Sequence, residues 1–121
     1  MLNILLIDDD PVEFRLIERM LSDCYKQPFT LRFAETLEKA ITILKTQETD
    51  LVLLDDKLNH GLTAKDSVPV LKRIKESVPL ILISSNIDAA YLQDKAILDV
   101  YDIVDKFHLR KRINDGLMNP S

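Results

Sequence analysis

Five polar residues of this 121-residue chain follow short apolar runs, where the ends of strands are expected. Three are acids, one is a hydroxyl residue and one is a lysine: Asp8, Asp9, Asp55, Ser84 and Lys106. Carboxylates that lie close together repel one another unless a divalent cation is bound, and oxygen ligands with open water positions suit Mg²⁺. If these runs end at one edge of a sheet, the sequence predicts a magnesium site at that edge.

The hydroxyl and the ammonium group extend this predicted site toward phosphoryl chemistry. Together with Mg²⁺, they complement the oxygens of a phosphoryl group. Asp55 could then attack a phosphorus atom in line as an aspartyl nucleophile, while the metal and Lys106 offset the charge on the equatorial oxygens. An acid at the end of an apolar strand is costly unless a cation balances it, which favours the same pairing.

The apolar runs predict five strands that would bring these residues together. Four consecutive apolar residues, 51–54, indicate a strand buried on both faces, as in a parallel sheet covered by helices. The alternating run from 29 to 33 is typical of an edge strand. The predicted strands are Leu2–Ile7, Phe29–Phe33, Asp50–Asp55, Leu80–Ile83 and Val100–Val104.

Amphipathic segments between and after these strands predict five helices. Pro11 suits the first turn of the first helix, and Asp10 with Glu13 suits a capping box at its start. The predicted helices are Pro11–Cys24, Glu35–Thr46, Asp66–Glu76, Asp88–Leu98 and Phe107–Leu117. We expect the inner face of the first helix to carry Val12, Leu16, Ile17, Met20 and Leu21.

The later helices have weaker signals at their ends. Thr36 is available as a cap for the second helix, and Asp88 for the fourth. Pro69 must fall within the first turns of the third helix or shift its start. We expect that helix to bury Val70, Leu71 and Ile74, and we expect the last four residues, 118–121, to be frayed.

Alternating strands and helices are typical of an α/β fold with a parallel sheet, right-handed crossovers and helices on both faces. With 46% hydrophobic and 30% charged residues, the chain is expected to form one domain over residues 1–121. A net charge of −4 argues against direct nucleic-acid binding, and no apolar run is long enough for membrane insertion. Cys24 is the lone cysteine, so a reducing, cytoplasmic setting is the simplest expectation.

Four motifs of this chain are similar to those of a known family, and they occur in the same order and at suitable separations. They are Ile7-Asp8-Asp9-Asp10, Asp50-Leu-Val-Leu-Leu-Asp55, Pro79-Leu-Ile-Leu-Ile-Ser84 and Asp105-Lys106-Phe107. With them, essentially the whole chain resembles the receiver domain of two-component response regulators, in its stand-alone form. The resemblance implies a flavodoxin-like, doubly wound fold whose five-stranded parallel sheet has the order 2-1-3-4-5 and is flanked by five helices.

By this resemblance, Asp55 is the phosphoacceptor and receives a phosphoryl group from a histidine kinase or a histidine phosphotransfer protein. Asp9 would bind Mg²⁺ directly and Asp8 through water. The main-chain carbonyl of Lys57 would complete the protein ligands of the metal.

The resemblance also implies how the phosphoryl group is held and how the signal leaves the protein. Ser84 would donate a hydrogen bond to the phosphoryl group, and Lys106 would pair with it. The domain would catalyse its own phosphorylation and dephosphorylation without acting as a turnover enzyme on external substrates. With no output domain expected, output would pass through contact with a downstream target protein, and a weak homodimer is left open. The family's usual readout face includes, in this chain, Tyr91, Ile103 and Arg110.

The chain departs from the family pattern at three positions. Ile103 stands where an aromatic residue usually lies, and Tyr101 would point to the same face if the strand alternates. Phe107 replaces a proline that often forms a cis bond, which leaves either a trans bond or a costly non-proline cis bond. Asn59 stands where the loop after the acceptor usually has proline, so loop shape and partner choice are expected to differ.

Some of these assignments have competitors. Asp56 adjoins the acceptor but should point away, because neighbours on a strand face opposite sides. Ser85 lies one residue after Ser84 and is a competing candidate for the hydrogen bond to the phosphoryl group.

A docking module that has lost phosphorylation remains an alternative function, favoured by the missing aromatic residue. A phosphatase is a second, because Asp8-x-Asp10 resembles the acid pair of haloacid-dehalogenase-type enzymes, although that family needs further acids and a longer chain.

Overall fold

The computed structural model describes residues 1–56, 58, 61–85 and 98–119. The predicted helix 88–98 lies outside these residues except at its last position. The strands are β1 (Leu2–Ile7), β2 (Phe29–Ala34), β3 (Leu51–Asp55), β4 (Leu80–Ser84) and β5 (Asp102–Asp105). The helices are α1 (Pro11–Cys24), α2 (Leu37–Thr46), α3 (Ala64–Ile74) and α4 (Leu109–Asn114), and a 3₁₀ turn, Lys106–His108, precedes α4.

The five strands form one parallel sheet in the order β2-β1-β3-β4-β5. This confirms the predicted fold class and the edge position of β2, with four of the five predicted helices among the described residues. In register, Asp55 lies beside Ile83, and Ser84 lies beside Asp105. Because all strands are parallel, their carboxyl ends share one edge of the sheet, where open α/β folds place their sites.

Alternate side chains of the central strands pack against helices on the two faces of the sheet. On one face, Leu54 and Leu82 belong to a core that includes residues of α2 and α3. On the other, Leu53 and Ile83 belong to a core that includes residues of α1 and α4, and we call this the α1/α4 face. The continuous apolar runs are therefore buried on both sides, as expected for a parallel sheet covered by helices.

Two of the predicted helix caps are present. The side chain of Asp10 accepts a hydrogen bond from the main-chain nitrogen of Val12 at 2.9 Å, and Thr36 Oγ1 accepts one from that of Lys39 at 3.2 Å. Each cap satisfies an N–H group that the first turn of a helix leaves unpaired. In the part of the chain that the structure describes, no helix is long and apolar enough to cross a membrane.

The predicted inner face of α1 is only partly correct. Ile17 and Leu21 are buried, but Val12 is 61% exposed and Leu16 is 50% exposed. Successive residues of a helix are about 100° apart, so Leu16 lies well to one side of the line through Ile17 and Leu21. The buried stripe is thus narrower than the apolar pattern suggested.

The predicted bounds of the third helix and of the C-terminal segment were wrong. α3 begins at Ala64, because Thr63 and Asp66 form a capping box two residues earlier than expected, and Pro69 lies inside the helix. Val68 is buried, whereas Val70 is only half-buried. β5 begins at Asp102, and α4 ends at Asn114. The following turn buries Leu117 and Met118 in the core of the α1/α4 face, so Met118 is not frayed.

Candidate functional site

Strand alternation directs three of the predicted site residues to the α1/α4 face. Leu6, Leu53 and Val104 are core residues of that face. Two residues further along the chain in each case, at the carboxyl edge, Asp55 ends β3, while Asp8 and Lys106 directly follow β1 and β5. The apolar runs bury the strands, and each run ends where its polar residue reaches the edge of the sheet.

The three acids form a compact cluster. One carboxylate oxygen from each of Asp8, Asp9 and Asp55 lies within 4.8 Å of the other two. Asp8 is 2% exposed and Asp55 is 8% exposed, while Asp9 is half-buried. Ligand oxygens on opposite sides of a Mg²⁺ ion are about 4.2 Å apart, so these carboxylates could surround one such ion after small adjustments.

Lys106 joins this cluster to the first turn of α1. Its Nζ lies 3.3 Å from Asp55 Oδ1 and also 3.3 Å from Glu13 Oε1. Sequence reasoning placed Glu13 in a capping box and missed its contact with the lysine. The available signal was the position of Glu13 in the helical turn that begins directly after the acids.

Burial and mutual repulsion shift the ionisation of the cluster. Burial raises the pKa of Asp8 from 3.8 to about 7, Asp55 adds to the rise, and the N–H of Asp10 opposes it. Burial also raises the pKa of Asp55, although Lys106 acts against it. Burial alone would lower the pKa of Lys106, but Asp55, Glu13 and Asp8 outweigh it and raise that pKa. The ionised forms of Asp8 and Asp55 are thus disfavoured, and a divalent cation would favour them.

Ser84 ends the strand next to the one that carries Asp55. It is buried, whereas Ser85 is exposed. Its strand partner is Asp105, the residue directly before Lys106. The two serines therefore differ in burial, and the choice of Ser84 over Ser85 stays a prediction.

Two further acids have other contacts. Asp56 is buried, and its Oδ1 accepts a hydrogen bond from the main-chain nitrogen of Ala64 at the start of α3, at 3.0 Å. Since Asp55 instead contacts Lys106, the two neighbouring acids have different partners, which fits the alternation of side chains along a strand. Asp10 is exposed and caps α1.

The residues in and next to β5 clarify two of the departures from the family pattern. Ile103 is half-buried and packs against the core shared with α2 and α3. Tyr101 precedes the strand, is exposed, and lines a cavity with Arg112 and Asp115. The interpretation of Tyr101 as a substitute on the face of Ile103 was therefore wrong, because β5 begins at Asp102, two residues after the predicted start at Val100. All described peptide bonds are trans, including the one before Phe107.

The remaining candidates are only partly covered by the structure. Lys57, Asn59 and Tyr91 lie outside the described residues. Arg110, which was assigned to the readout face, forms an ion pair with Asp23 of α1 at 3.1 Å.

Comparison by sequence gives matches along nearly the whole chain. The family profile described as "Response regulator receiver domain" matches residues 4–116. The "Transcriptional regulatory protein DcuR" of Escherichia coli (strain K12) is 34% identical over 123 residues, covering 97% of this chain and 49% of DcuR. DcuR of Shigella flexneri is 33% identical with the same coverage. The chain spans about half the length of the curated relatives it matches.

Comparison by structure gives matches at lower identity. The isolated REC domain of RcsB from Salmonella enterica serovar Typhimurium, in the presence of phosphomimetic BeF3-, has a TM-score of 0.79 and 21% identity, covering 96% of this chain and 85% of that one. The receiver domain of the sensor histidine kinase PA1611 from Pseudomonas aeruginosa PAO1, with magnesium coordinated in its active-site cleft, has a TM-score of 0.73 and 20% identity, covering 94% and 95%. At these identities the likeness shows a shared fold.

Proposed function

Since the chain belongs to the response regulator receiver domain family of two-component signal transduction, we propose that it accepts a phosphoryl group on Asp55. One observation carries this proposal. The Asp55 carboxylate lies within 4.8 Å of the other cluster acids and 3.3 Å from the Lys106 ammonium. This combination suits a nucleophile that must approach a negatively charged phosphoryl donor.

The proposed step breaks the P–N bond of a phosphohistidine, or the P–O bond of an acyl phosphate such as acetyl phosphate, and forms the P–O bond of an aspartyl phosphate. An Asp55 carboxylate oxygen forms a bond to phosphorus, and the bond between phosphorus and the donor's leaving group breaks, with the electron pair staying on the leaving group. With acetyl phosphate the products are aspartyl phosphate and acetate, and no proton needs to move. Lys106 would pair with a phosphoryl oxygen, and Ser84 would donate a hydrogen bond to another.

We propose that the same acids hold Mg²⁺. Asp9 and Asp55 would bind it directly, Asp8 through water, and the carbonyl of Lys57 is proposed as a further ligand from outside the described residues. When bound, Mg²⁺ supplies positive charge that offsets the oxygens of the phosphoryl group. The raised pKa values of Asp8 and Asp55 support this assignment, because a bound cation would stabilise the ionised carboxylates that burial disfavours.

Receiver domains act as phosphoacceptors that interact with histidine kinases and effectors. For this chain we propose a histidine kinase or histidine phosphotransfer protein as donor, output through contact with a target protein, and no turnover of external substrates. A cytoplasmic setting belongs to the same proposal, and the disulfide-free Cys24 is compatible with it. The chain spans about half the length of its curated relatives, and the single receiver domain over residues 1–121 remains a prediction.

A docking module without phosphorylation is the second candidate, favoured by Ile103 in place of the aromatic residue. The acids and the lysine that meet in one cluster favour the phosphoacceptor instead. For the phosphatase alternative, Asp10 would have to serve the reaction, but its carboxylate caps α1.

Incubation with acetyl phosphate and Mg²⁺, followed by intact-mass measurement, tests the proposed function. We expect the wild-type protein to gain one phosphoryl group, and we expect EDTA to prevent the gain because the acid cluster then lacks its cation. No added mass in the presence of Mg²⁺ would defeat the phosphoacceptor and leave the docking module. Continuous hydrolysis of a generic phosphate ester would favour the phosphatase.

A further inference from the structure

The ammonium group of Lys106 is shared between two carboxylates from different elements. Asp55 ends β3 and Glu13 lies in the first turn of α1, and each has an oxygen 3.3 Å from Lys106 Nζ. Because both contacts share this nitrogen, the two oxygens are at most 6.6 Å apart. Glu13 is therefore a fourth carboxylate beside the cluster, although it is not one of the three acids grouped as metal ligands.

We propose that Glu13 is a positioning residue that holds Lys106 partly away from Asp55 and thereby slows the phosphorylation of Asp55. This inference rests on the proposed function and adds a residue that limits its rate. The lysine must contact a phosphoryl oxygen as charge develops there, and Glu13 competes for the same ammonium group. The competition is strong enough to matter because the side chains of Glu13 and Lys106 are only 26% and 23% exposed, so water screens their attraction less than at an open surface.

Local structure does not require the Glu13 carboxylate. Asp10 already caps α1 through the nitrogen of Val12, so the helix start has its cap without Glu13. An acid in the first turn also interacts favourably with the helix dipole, but that contribution affects stability and does not depend on Lys106. A dependence on Lys106 therefore separates the positioning role from a structural one.

Replacing the charge should have two effects of opposite sign. In Glu13→Gln, Lys106 is free to pair fully with Asp55, so phosphorylation by acetyl phosphate at saturating Mg²⁺ should become roughly three- to tenfold faster. The same change removes a negative neighbour of the metal ligands and strengthens the lysine that competes with the metal for Asp55. Mg²⁺ binding should therefore weaken by a similar factor. Loss of structure would not raise one quantity while lowering the other.

The test uses the full chain and a matched control. Initial rates of mass gain with acetyl phosphate and calorimetric titrations with MgCl2 are compared for the wild type, Glu13→Gln and Glu18→Gln. Glu18 is an exposed acid of α1 that lines a separate groove with Arg15 and Arg19. Glu18→Gln therefore removes one negative charge from the same helix, but outside the site. The rates are also measured with each change in a Lys106→Met background.

Support requires a faster rate and weaker Mg²⁺ binding in Glu13→Gln alone, with the rate gain absent in the Lys106→Met background. The inference is overturned if Glu13→Gln behaves like Glu18→Gln, or if its rate gain persists without Lys106. If the wild type gains no phosphoryl group, the proposed function fails and this inference falls with it. A wild type that is phosphorylated at the same rate as Glu13→Gln overturns this inference alone.

Discussion

Asp55→Asn is expected to gain no phosphoryl group from acetyl phosphate under conditions that label the wild-type protein. The amide lacks the carboxylate oxygen that would attack phosphorus, and it leaves Lys106 without its charged partner on β3. Intact-mass measurement over the time course of wild-type labelling checks this result. The expected effect is the largest in this account, because it removes the reacting atom itself.

Asp56→Asn is the matched control for this variant. Asp56 is the adjacent acid, and its Oδ1 accepts a hydrogen bond from Ala64, which the oxygen of asparagine can also accept. We expect Asp56→Asn to be labelled like the wild type. Undiminished labelling of Asp55→Asn would show that the acceptor is misplaced, as would loss of labelling in a folded Asp56→Asn protein.

Asp8→Asn is expected to be more stable than the wild type when no metal is present. Burial raises the pKa of Asp8 from 3.8 to about 7, so the native state binds this proton more tightly than the unfolded chain. The stability that the proton provides is present below pH 3.8 and is lost as pH rises toward about 7. Asparagine cannot ionise, so the Asp8→Asn protein does not lose this stability as pH rises. At about 1.4 kcal/mol for each pKa unit, the gain above neutral pH is on the order of 2–4 kcal/mol.

Denaturant unfolding in EDTA, at about pH 8 and again near pH 4, measures this difference. The advantage of Asp8→Asn should shrink at the lower pH, and added MgCl2 should stabilise the wild type more than the variant. Asp10→Asn is the control, because asparagine also caps a helix well and Asp10 is not among the clustered acids. A variant no more stable than the wild type near pH 8, or equally stabilised by MgCl2, would contradict the assignment of Asp8.

The sheet and most of the cluster were predictable because both follow from where apolar runs end. Residues 4–7 before Asp8 and residues 51–54 before Asp55 are uninterrupted apolar runs and are all buried, so the acid that follows each run lies at the edge of the sheet. A parallel sheet then places the carboxyl ends of its strands at one edge, independently of the conformation of the loops. The opposite directions of Asp55 and Asp56 follow from strand alternation in the same way.

The contact between Glu13 and Lys106 was not predictable, because it depends on how α1 is rotated against the sheet. Apolar spacing indicated a face that included Leu16, but the buried stripe passes through Ile17 and Leu21. That rotation leaves Leu16 half exposed and brings the first turn of α1 beside the lysine. Spacing specifies which residues share a face of a helix and leaves open which part of that face touches the sheet.

The assignment of Tyr101 failed for a related reason. It assumed that β5 extends back to Val100, so that alternation would apply at position 101. The strand instead begins at Asp102, whose side chain pairs with Arg112 of α4. Strand ends depend on such pairing with neighbouring elements, which local propensity does not encode.

The most direct test of the phosphoacceptor is chemical mapping of the modified residue. Borohydride reduces an aspartyl phosphate to homoserine, so peptide mass mapping after acetyl phosphate, Mg²⁺ and borohydride treatment identifies the acid that carried the phosphoryl group. We predict homoserine at position 55. Homoserine at position 8, 9 or 56, or a phosphoryl group that borohydride leaves in place on a hydroxyl or an imidazole, would contradict the account.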